Sequence, residues 1–403
     1  MAPLTPERAQ PESLRIAFPE SVSVRPLSAI ALAIAITTSG CSRERSGGAD
    51  ASAEPPADAR AQTRARAATA LARVPAIAFA SLGRDGEHVG ATGFSQVSSK
   101  REATPETVFE AASIAKLVVA TCVLTLVEDG TLDLDADASR YVGFAVRHPR
   151  WPEPLTVRML LTHRASIRDV ESDLSTSAAG NPLGPFLKSY LVREAAPRAT
   201  AFLEDRPGSR LTYSNVGASL AALAVEHVSG ESFATFSARR VFAPLHMSRT
   251  SWASPDAATT AVATPHAYRD GAFVALAPAS HAVYPAVDLF ASAADLARFA
   301  RAILREGELD GARVLSAASV RTMLRADPRD ADQALGWQLR TIGGRHVVGH
   351  EGEDAGATTG LFLDLAAGTG AVVLANGDAF GSGESARAEA IETMISELLA
   401  AKR

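Results

Sequence analysis

The feature that most constrains this chain is the run Ile114–Val127, IAKLVVATCVLTLV, in which Lys116 is the only charged residue. A helix that is apolar all round has to be buried, so Lys116 is expected in the interior. Burying an unpaired ammonium is costly. The usual relief is loss of its proton, with pKa shifts of roughly 3–5 units when burial is complete. A neutral lysine is a base. Ser113 lies three residues earlier, about one turn away on the same helix face, and a serine hydroxyl needs a base within hydrogen-bond reach to become a nucleophile. Cation usage sharpens the point. Lys100, Lys116, Lys188 and Lys402 are the only lysines among 40 basic residues, and arginine cannot serve as a base because it keeps its proton in proteins. On Ser113–Lys116 alone, the alternative that Lys116 snorkels outward and Ser113 caps the helix stays open.

Two further polar elements stand out. Tyr213-Ser214-Asn215 follows the turn Asp205–Ser209 and enters a helical pattern at Val216–Ser229. Tyr213 offers a phenol able to shuttle a proton, and Asn215 offers amide donors and an acceptor. His350-Glu351-Gly352 closes the strand-like run Arg345–Gly349. Gly352 leaves a strand face bare for a ligand, and His350 places a donor or a cation beside it. Taken singly, the first reads as a helix entry with a polar cap and the second as a polar strand end.

The rest of the chain sets the context. Its 403 residues are 47% hydrophobic and 21% charged, which excludes a wholly disordered chain and a multi-span membrane protein. A net charge of −5 without a basic stripe argues against a nucleic-acid partner. Two cysteines, Cys41 and Cys122, exclude a disulfide framework, and Cys122 falls in the apolar helix as a small core residue. No zinc-ligand spacing, phosphate loop or G-x-S-x-G elbow is present, so no cofactor or metal is expected. Residues 1–41 read as an export signal. Pro26–Ile36 is an apolar run too short to span a bilayer, preceded by Arg25 and followed by Thr37-Thr38-Ser39-Gly40-Cys41. The ending resembles a bacterial lipoprotein signal whose cysteine is lipidated, which implies a membrane-anchored protein of the cell envelope facing the periplasm or outside. An ordinary cleaved signal is the other reading. Residues 42–66, rich in Ala, Gly, Pro and Ser, read as a flexible linker, and the folded part as 67–403.

Short strands are expected at Ala76–Leu82 and Val89–Phe94, and helices at Ala111–Asp129, Thr156–Thr162, Val216–Ser229, Ala293–Arg305 and Ala317–Arg325. An antiparallel meander is expected at Gly336–Arg340, Arg345–Gly349, Thr359–Leu365 and Gly370–Ala375, with a last helix near Ser385–Ala400. Strands, helices, strands, helix describes an α+β fold. In it an antiparallel sheet built from both chain ends is flanked by helices, with a mostly helical subdomain inserted at about 136–285.

Together the three polar elements, in this order, resemble the serine β-lactamase and penicillin-binding-protein-like superfamily, in its class C β-lactamase-related branch of DD-peptidases, D-aminopeptidases and esterases. The resemblance spans roughly residues 70–400. It includes Thr107–Lys116, Leu211–Gly217, Phe242–Met247 (the family's "aPLGM"), Ser292–Phe299 and Val348–Gly352. It implies a β-lactamase/transpeptidase-like fold and an acyl-enzyme mechanism on a small-molecule or peptide substrate. Ser113 would be the nucleophile, Lys116 its base, Tyr213 the proton relay and Asn215 a holder of the substrate amide. The N–H groups of Ser113 and Glu353 would form the oxyanion hole. His350 stands where β-lactamases and DD-peptidases carry lysine, which implies a weaker, pH-dependent grip on a substrate carboxylate. Glu351 adds negative charge there. Both features favour an ester or D-amino-acid amide over a β-lactam; a β-lactamase or DD-carboxypeptidase is the second expectation, and a non-catalytic β-lactam or peptidoglycan sensor the rival. Leu160–Ser166 resembles "LLtHtSG" without its final glycine, and His246 replaces the glycine of "PLGM". Without that glycine the first loop, and the cleft wall it supports, are expected to bend differently. His163 reads as structural.

Overall fold

The computed structural model describes residues 57–174, 182–192, 201–255 and 261–401. The expected signal, Cys41 and the linker up to residue 56 lie outside them.

The first element is a helix, α1 (Ala57–Ala72), where a flexible linker was expected up to residue 66. Alanine explains the difference. It is the strongest helix former, and Ala61, Ala65, Ala68 and Ala72 make one buried face that is too small-chained to show as hydrophobic patterning. A hairpin follows, β1 (Ala76–Gly83) and β2 (Glu87–Gln96), then short strands β3 (Arg101–Glu102) and β4 (Val108–Glu110). A 3-10 turn at Ala112–Ile114 opens α2 (Ala115–Glu128), which buries every residue up to Leu126, Lys116 included. The inserted region carries short helices at Val157–Leu161 and Leu183–Leu191 and the longer α3 (Asn215–Ser229), plus one small hairpin at His266–Ala275. Chain then returns through β5 (Phe290–Ser292), α4 (Ala293–Leu304), a helix at Ala317–Leu324, and a meander β6 (Gln338–Ile342), β7 (Arg345–Asp354), β8 (Ala357–Asp364) and β9 (Thr369–Ala375), ending in α5 (Ser385–Ala400).

One seven-stranded sheet runs β6-β7-β8-β9-β1-β2-β3. Its N-terminal hairpin joins the C-terminal meander edge to edge, with Ala78 opposite Leu374, as the expectation of a sheet built from both chain ends required. Period-two alternation separates its two faces. Ile77, Phe79, Phe362 and Val373 pack under α1 and α5, whereas Ala78, Ala80, Leu361 and Leu374 face the core that contains α2, α3 and α4. β7 outruns its partner β6, which pairs only as far as Gly349. Among the described residues, the stretch His350–Asp354 therefore has β8 on one side and no strand on the other.

Candidate active site

Ser113 sits in the 3-10 turn against that unpaired stretch. The residue before it, Ala112, has φ +48, a left-handed conformation that costs an L-residue roughly 1–2 kcal/mol. β7 passes so close that a Cβ on Gly352 would lie 2.2 Å from Thr359 Oγ1, 2.8 Å from the Ala111 carbonyl and 3.1 Å from the Ser113 nitrogen. Thr359 Oγ1 donates to that same carbonyl at 2.9 Å. Gly352 is thus required for strand and turn to meet, a tighter role than the bare ligand face inferred from sequence.

Lys116 is 1% exposed, as its apolar helix demands. Its Nζ lies 3.1 Å from Ser113 Oγ, 2.7 Å from Asn215 Oδ1 and 2.9 Å from the carbonyl of Ala286. The last two atoms can only accept. They take the two hydrogens of a neutral amine and leave its lone pair facing Ser113. Burial lowers the pKa of Lys116 to about 7, with the negative charge of Asp169 working upward.

Tyr213 donates its hydroxyl to Ser113 Oγ at 2.7 Å, and the Lys116 nitrogen lies 4.7 Å from the centre of its ring. Burial pushes the phenol pKa up, the bond to Ser113 pulls it down, and the charges of Asp169 and Glu351 add to the rise. Since Tyr213 is 39% exposed, solvent moderates the upward push. The balance keeps a proton on the phenol.

Asn215 is placed by Asp169, which sequence reasoning missed. Asp169 accepts from Ser214 Oγ at 2.7 Å and from the N–H groups of Asn215 (2.5 Å) and Val216 (3.2 Å). It caps α3 from 46 residues upstream, a separation at which no local pattern signals the pairing. The Ala286 carbonyl was equally unreadable, because any residue supplies one. With Asn215 Oδ1 bonded to Lys116, the amide nitrogen is the part of that side chain left to meet a substrate.

The third block departs from expectation. His350 is 2% exposed, and its pKa falls to about 3, through burial first and then the charge of Lys116. It is a neutral ring, not the cation or pH-dependent carboxylate grip that the sequence suggested. Glu351, next along the strand, points to the opposite face, where Arg340 binds it and also reaches Glu392 at 2.9 Å. Its charge is compensated there. Glu353 pairs with Thr358 across β8, and its side chain lies close to Gly381. Burial, followed by repulsion from Glu351, Asp354 and Asp378, raises its pKa.

His163 is 3% exposed, accepts the N–H of Ser214 at 3.2 Å and packs on Tyr213 at 4.5 Å between ring centres, the structural role read from sequence. Ser166 has φ +56 and His246 has φ +54, so both positions keep the left-handed backbone that glycine ordinarily supplies. Cys122 is fully buried, with its pKa pushed up by that burial.

No described helix is long and apolar enough to cross a membrane, and among the described residues no cluster of side chains could hold a metal ion.

Comparison with known proteins finds relatives in sequence and in fold. Penicillin-binding protein 4 of Amycolatopsis lactamdurans is 28% identical over 319 residues, covering 75% of this chain and 81% of that one. Among solved structures, a D-amino acid amidase from Ochrobactrum anthropi SV3 superposes with a TM-score of 0.70 at 20% identity, over 85% of this chain and 98% of that one. A class C β-lactamase superposes with a TM-score of 0.71 at 16% identity, over 88% and 98%. At such identities these two show a shared fold. The Beta-lactamase family profile matches residues 38–393, and the chain therefore belongs to that family, within the superfamily of β-lactamase and penicillin-binding-protein-like serine hydrolases.

Proposed function

We propose that this protein is a serine hydrolase that cleaves an ester or a D-amino-acid amide or peptide through an acyl-enzyme. The observation that carries the reading is the Lys116 nitrogen, held between two obligate acceptors and 3.1 Å from Ser113 Oγ. Lys116 takes the Ser113 proton as Oγ attacks the carbonyl carbon. Negative charge then builds on the carbonyl oxygen, where the N–H groups of Ser113 and Glu353 receive it; each such donor is worth roughly 10²–10³ in rate. Tyr213, a phenol already donating to Oγ, delivers a proton to the departing alcohol or amine as the carbon–heteroatom bond breaks. The proton that Lys116 took from Ser113 then returns to the Tyr213 oxygen, whose ring centre lies 4.7 Å from the Lys116 nitrogen. Water enters where the leaving group left and gives its proton to the same pair as it attacks the acyl carbon; the bond to Ser113 Oγ then breaks as that proton returns to the serine oxygen, and the acid departs. Asn215 steadies the substrate carbonyl with its amide nitrogen.

β-Lactam hydrolysis is the second reading and rests on the family membership. Against it stands the neutral His350, which offers a β-lactam carboxylate no cation. Turnover of a nitrophenyl ester, a D-amino-acid amide and a chromogenic cephalosporin separates the readings, and a fluorescent phosphonate reports the nucleophile. Ser113→Ala is expected to abolish the phosphonate adduct and lower ester turnover by on the order of 10⁴. A labelled penicillin adduct that persists without turnover of any substrate would instead favour the sensor. We infer also that Cys41 anchors the mature protein in the cell envelope, a reading supported by its place after a short apolar run. Unchanged membrane partitioning of Cys41→Ala would remove it.

A further inference from the structure

Three of the segments that build the site also carry a carboxyl side chain into one cluster. β4 ends at Glu110, three residues before Ser113. β7 ends at Asp354, whose neighbour Glu353 supplies the N–H assigned to the oxyanion hole. Asp288 follows the single helical turn Tyr284–Val287, two residues after Ala286, whose carbonyl accepts from Lys116. The side chain that joins them is His281. Its Nδ1 lies 2.6 Å from Asp288 Oδ1, and its backbone N–H donates to Asp288 Oδ2 at 2.9 Å. Its Nε2 lies 3.6 Å from Asp354 Oδ2, an ion-pair distance.

Both ring nitrogens thus face carboxylates. A neutral imidazole has a proton for only one of them, and the imidazolium alone donates from both. Without a cation between them, Asp288 and Asp354 would repel each other. Water screens little of this, because the side chains of His281, Asp288 and Asp354 are only 9%, 10% and 15% exposed. The neighbouring charges agree. Burial works against the imidazolium, but the bond to Asp288 and the charges of Asp354, Asp288 and Glu171 outweigh it, so the ring pKa lies above its usual 6.5. Glu171 comes from the inserted region, whose Leu174 carbonyl accepts the Ala282 N–H at 2.8 Å. Glu110, bonded to Asp354, keeps its proton through burial and the two nearby carboxylates, so it adds no charge. With both nitrogens engaged, His281 has none to offer a substrate, and its influence runs through the segments it ties.

We propose that His281 is a positioning residue: by bridging Asp288 and Asp354 it holds the Ala286 carbonyl that orients Lys116, and the Glu353 N–H that receives the oxyanion, in register on either side of Ser113. The proposal rests on the hydrolase reading and adds a part to it. It also gives the enzyme an alkaline limit. A raised histidine pKa means that the bridge is fully present below pH 6.5 and is lost as pH rises through the higher folded value. Lys116 sets the opposite limb, because it must lose its proton to act.

The test follows the full chain between about pH 5.5 and 9.5 with a fluorescent phosphonate, whose attack by Ser113 also puts charge on an oxygen in the hole, and with nitrophenyl butyrate, corrected for spontaneous hydrolysis. In the wild type the maximal rate of phosphonylation should rise as Lys116 loses its proton and fall again as His281 loses its own; kcat for the ester, where it is released, should do the same. Asp354→Asn removes one charge that favours the imidazolium and should move the fall to lower pH. His281→Asn cannot reach both carboxylates. It should abolish the fall and lower the maximal rate near neutral pH by about tenfold, a fraction of the 10²–10³ that outright loss of an oxyanion donor costs. The phosphonate concentration at half-maximal rate should change by less than about twofold, since the loss falls on the transition state. Adding Asp354→Asn to His281→Asn removes the repulsion and should recover at least about threefold, whereas unrelated defects would multiply. A wild-type rate that stays level to the alkaline end, a fall that Asp354→Asn leaves in place, a His281→Asn variant with an unchanged maximal rate, or a double variant slower than His281→Asn each overturns the proposal. The first two decide it if His281→Asn does not fold. No adduct and no release from the wild type overturn the hydrolase reading instead.

Discussion

Lys116 and Glu110 lie six positions apart, on either side of Ser113, and both are buried, with 1% and 9% exposure. Burial takes the charge from each. For Lys116 the result is a pKa of about 7, because the single opposing influence, the carboxylate of Asp169, works against burial. For Glu110 the neighbours work with burial. Asp354 and Asp288 are both negative, and the pKa climbs to about 10. The surroundings extend this contrast. Around Lys116 the bonded partners are neutral acceptors and a hydroxyl. Around Glu110 lies an acidic knot in which His281 bridges Asp288 at 2.6 Å and Asp354 at 3.6 Å. The same desolvation produces a group that can exchange a proton at neutral pH in one place and a permanently protonated strut in the other. Burial is the largest influence on both, and the nearby negative charge opposes it at Lys116 but adds to it at Glu110.

The largest test of this contrast is Lys116→Arg. It keeps the charge but cannot lose the proton, so ester turnover should fall by on the order of 10³ or more. An active arginine variant would remove Lys116 from the base role. Next comes stability against pH, where the two groups should pull in opposite directions. Folded Glu110 holds a proton that the unfolded chain releases between pH 4.5 and about 10. Its contribution is therefore fully present below 4.5 and is lost as pH rises through that window. Glu110→Gln removes the dependence and should stabilise the protein by on the order of 1–3 kcal/mol at pH 7, read from denaturant midpoints. Lys116 has the reverse sign. The folded state lacks a proton that the unfolded chain keeps between pH about 7 and 10.5, so its contribution improves as pH rises, and Lys116→Met should abolish that improvement. Parallel slopes for the two variants would break the comparison.

Asp169→Asn makes a finer test. With the opposing carboxylate gone, Lys116 should shed its proton more readily, and the rise of kcat/KM with pH, expected near 7 in the wild type, should move to lower pH. An unmoved profile would confine Asp169 to capping α3. The smallest expected effect is far from the base. His246 holds a left-handed backbone at φ +54, and His246→Gly should raise stability by up to about 1 kcal/mol without altering turnover. A loss of stability there would show that the ring contributes contacts outweighing its backbone strain.

Local spacing determined a large share of this protein. An apolar helix with one lysine could only be buried, and the three-residue offset from Ser113 to Lys116 is set by helix geometry. The strands of the meander follow from alternation. Where local patterning was weak, as in the alanine face of α1, the element went unread. Tertiary structure alone decided the rest, for a physical reason common to each instance. The cap that Asp169 sets on α3, the carbonyl that Ala286 offers Lys116, the turning of Glu351 to Arg340, and the contacts of His281 with Asp288 and Asp354 join segments or atoms whose meeting no periodicity encodes. Sequence named the groups able to gain or lose a proton. Only the packing around them set how each is buried and which charges face it, and so how far the pKa values of Lys116 and His350 are lowered.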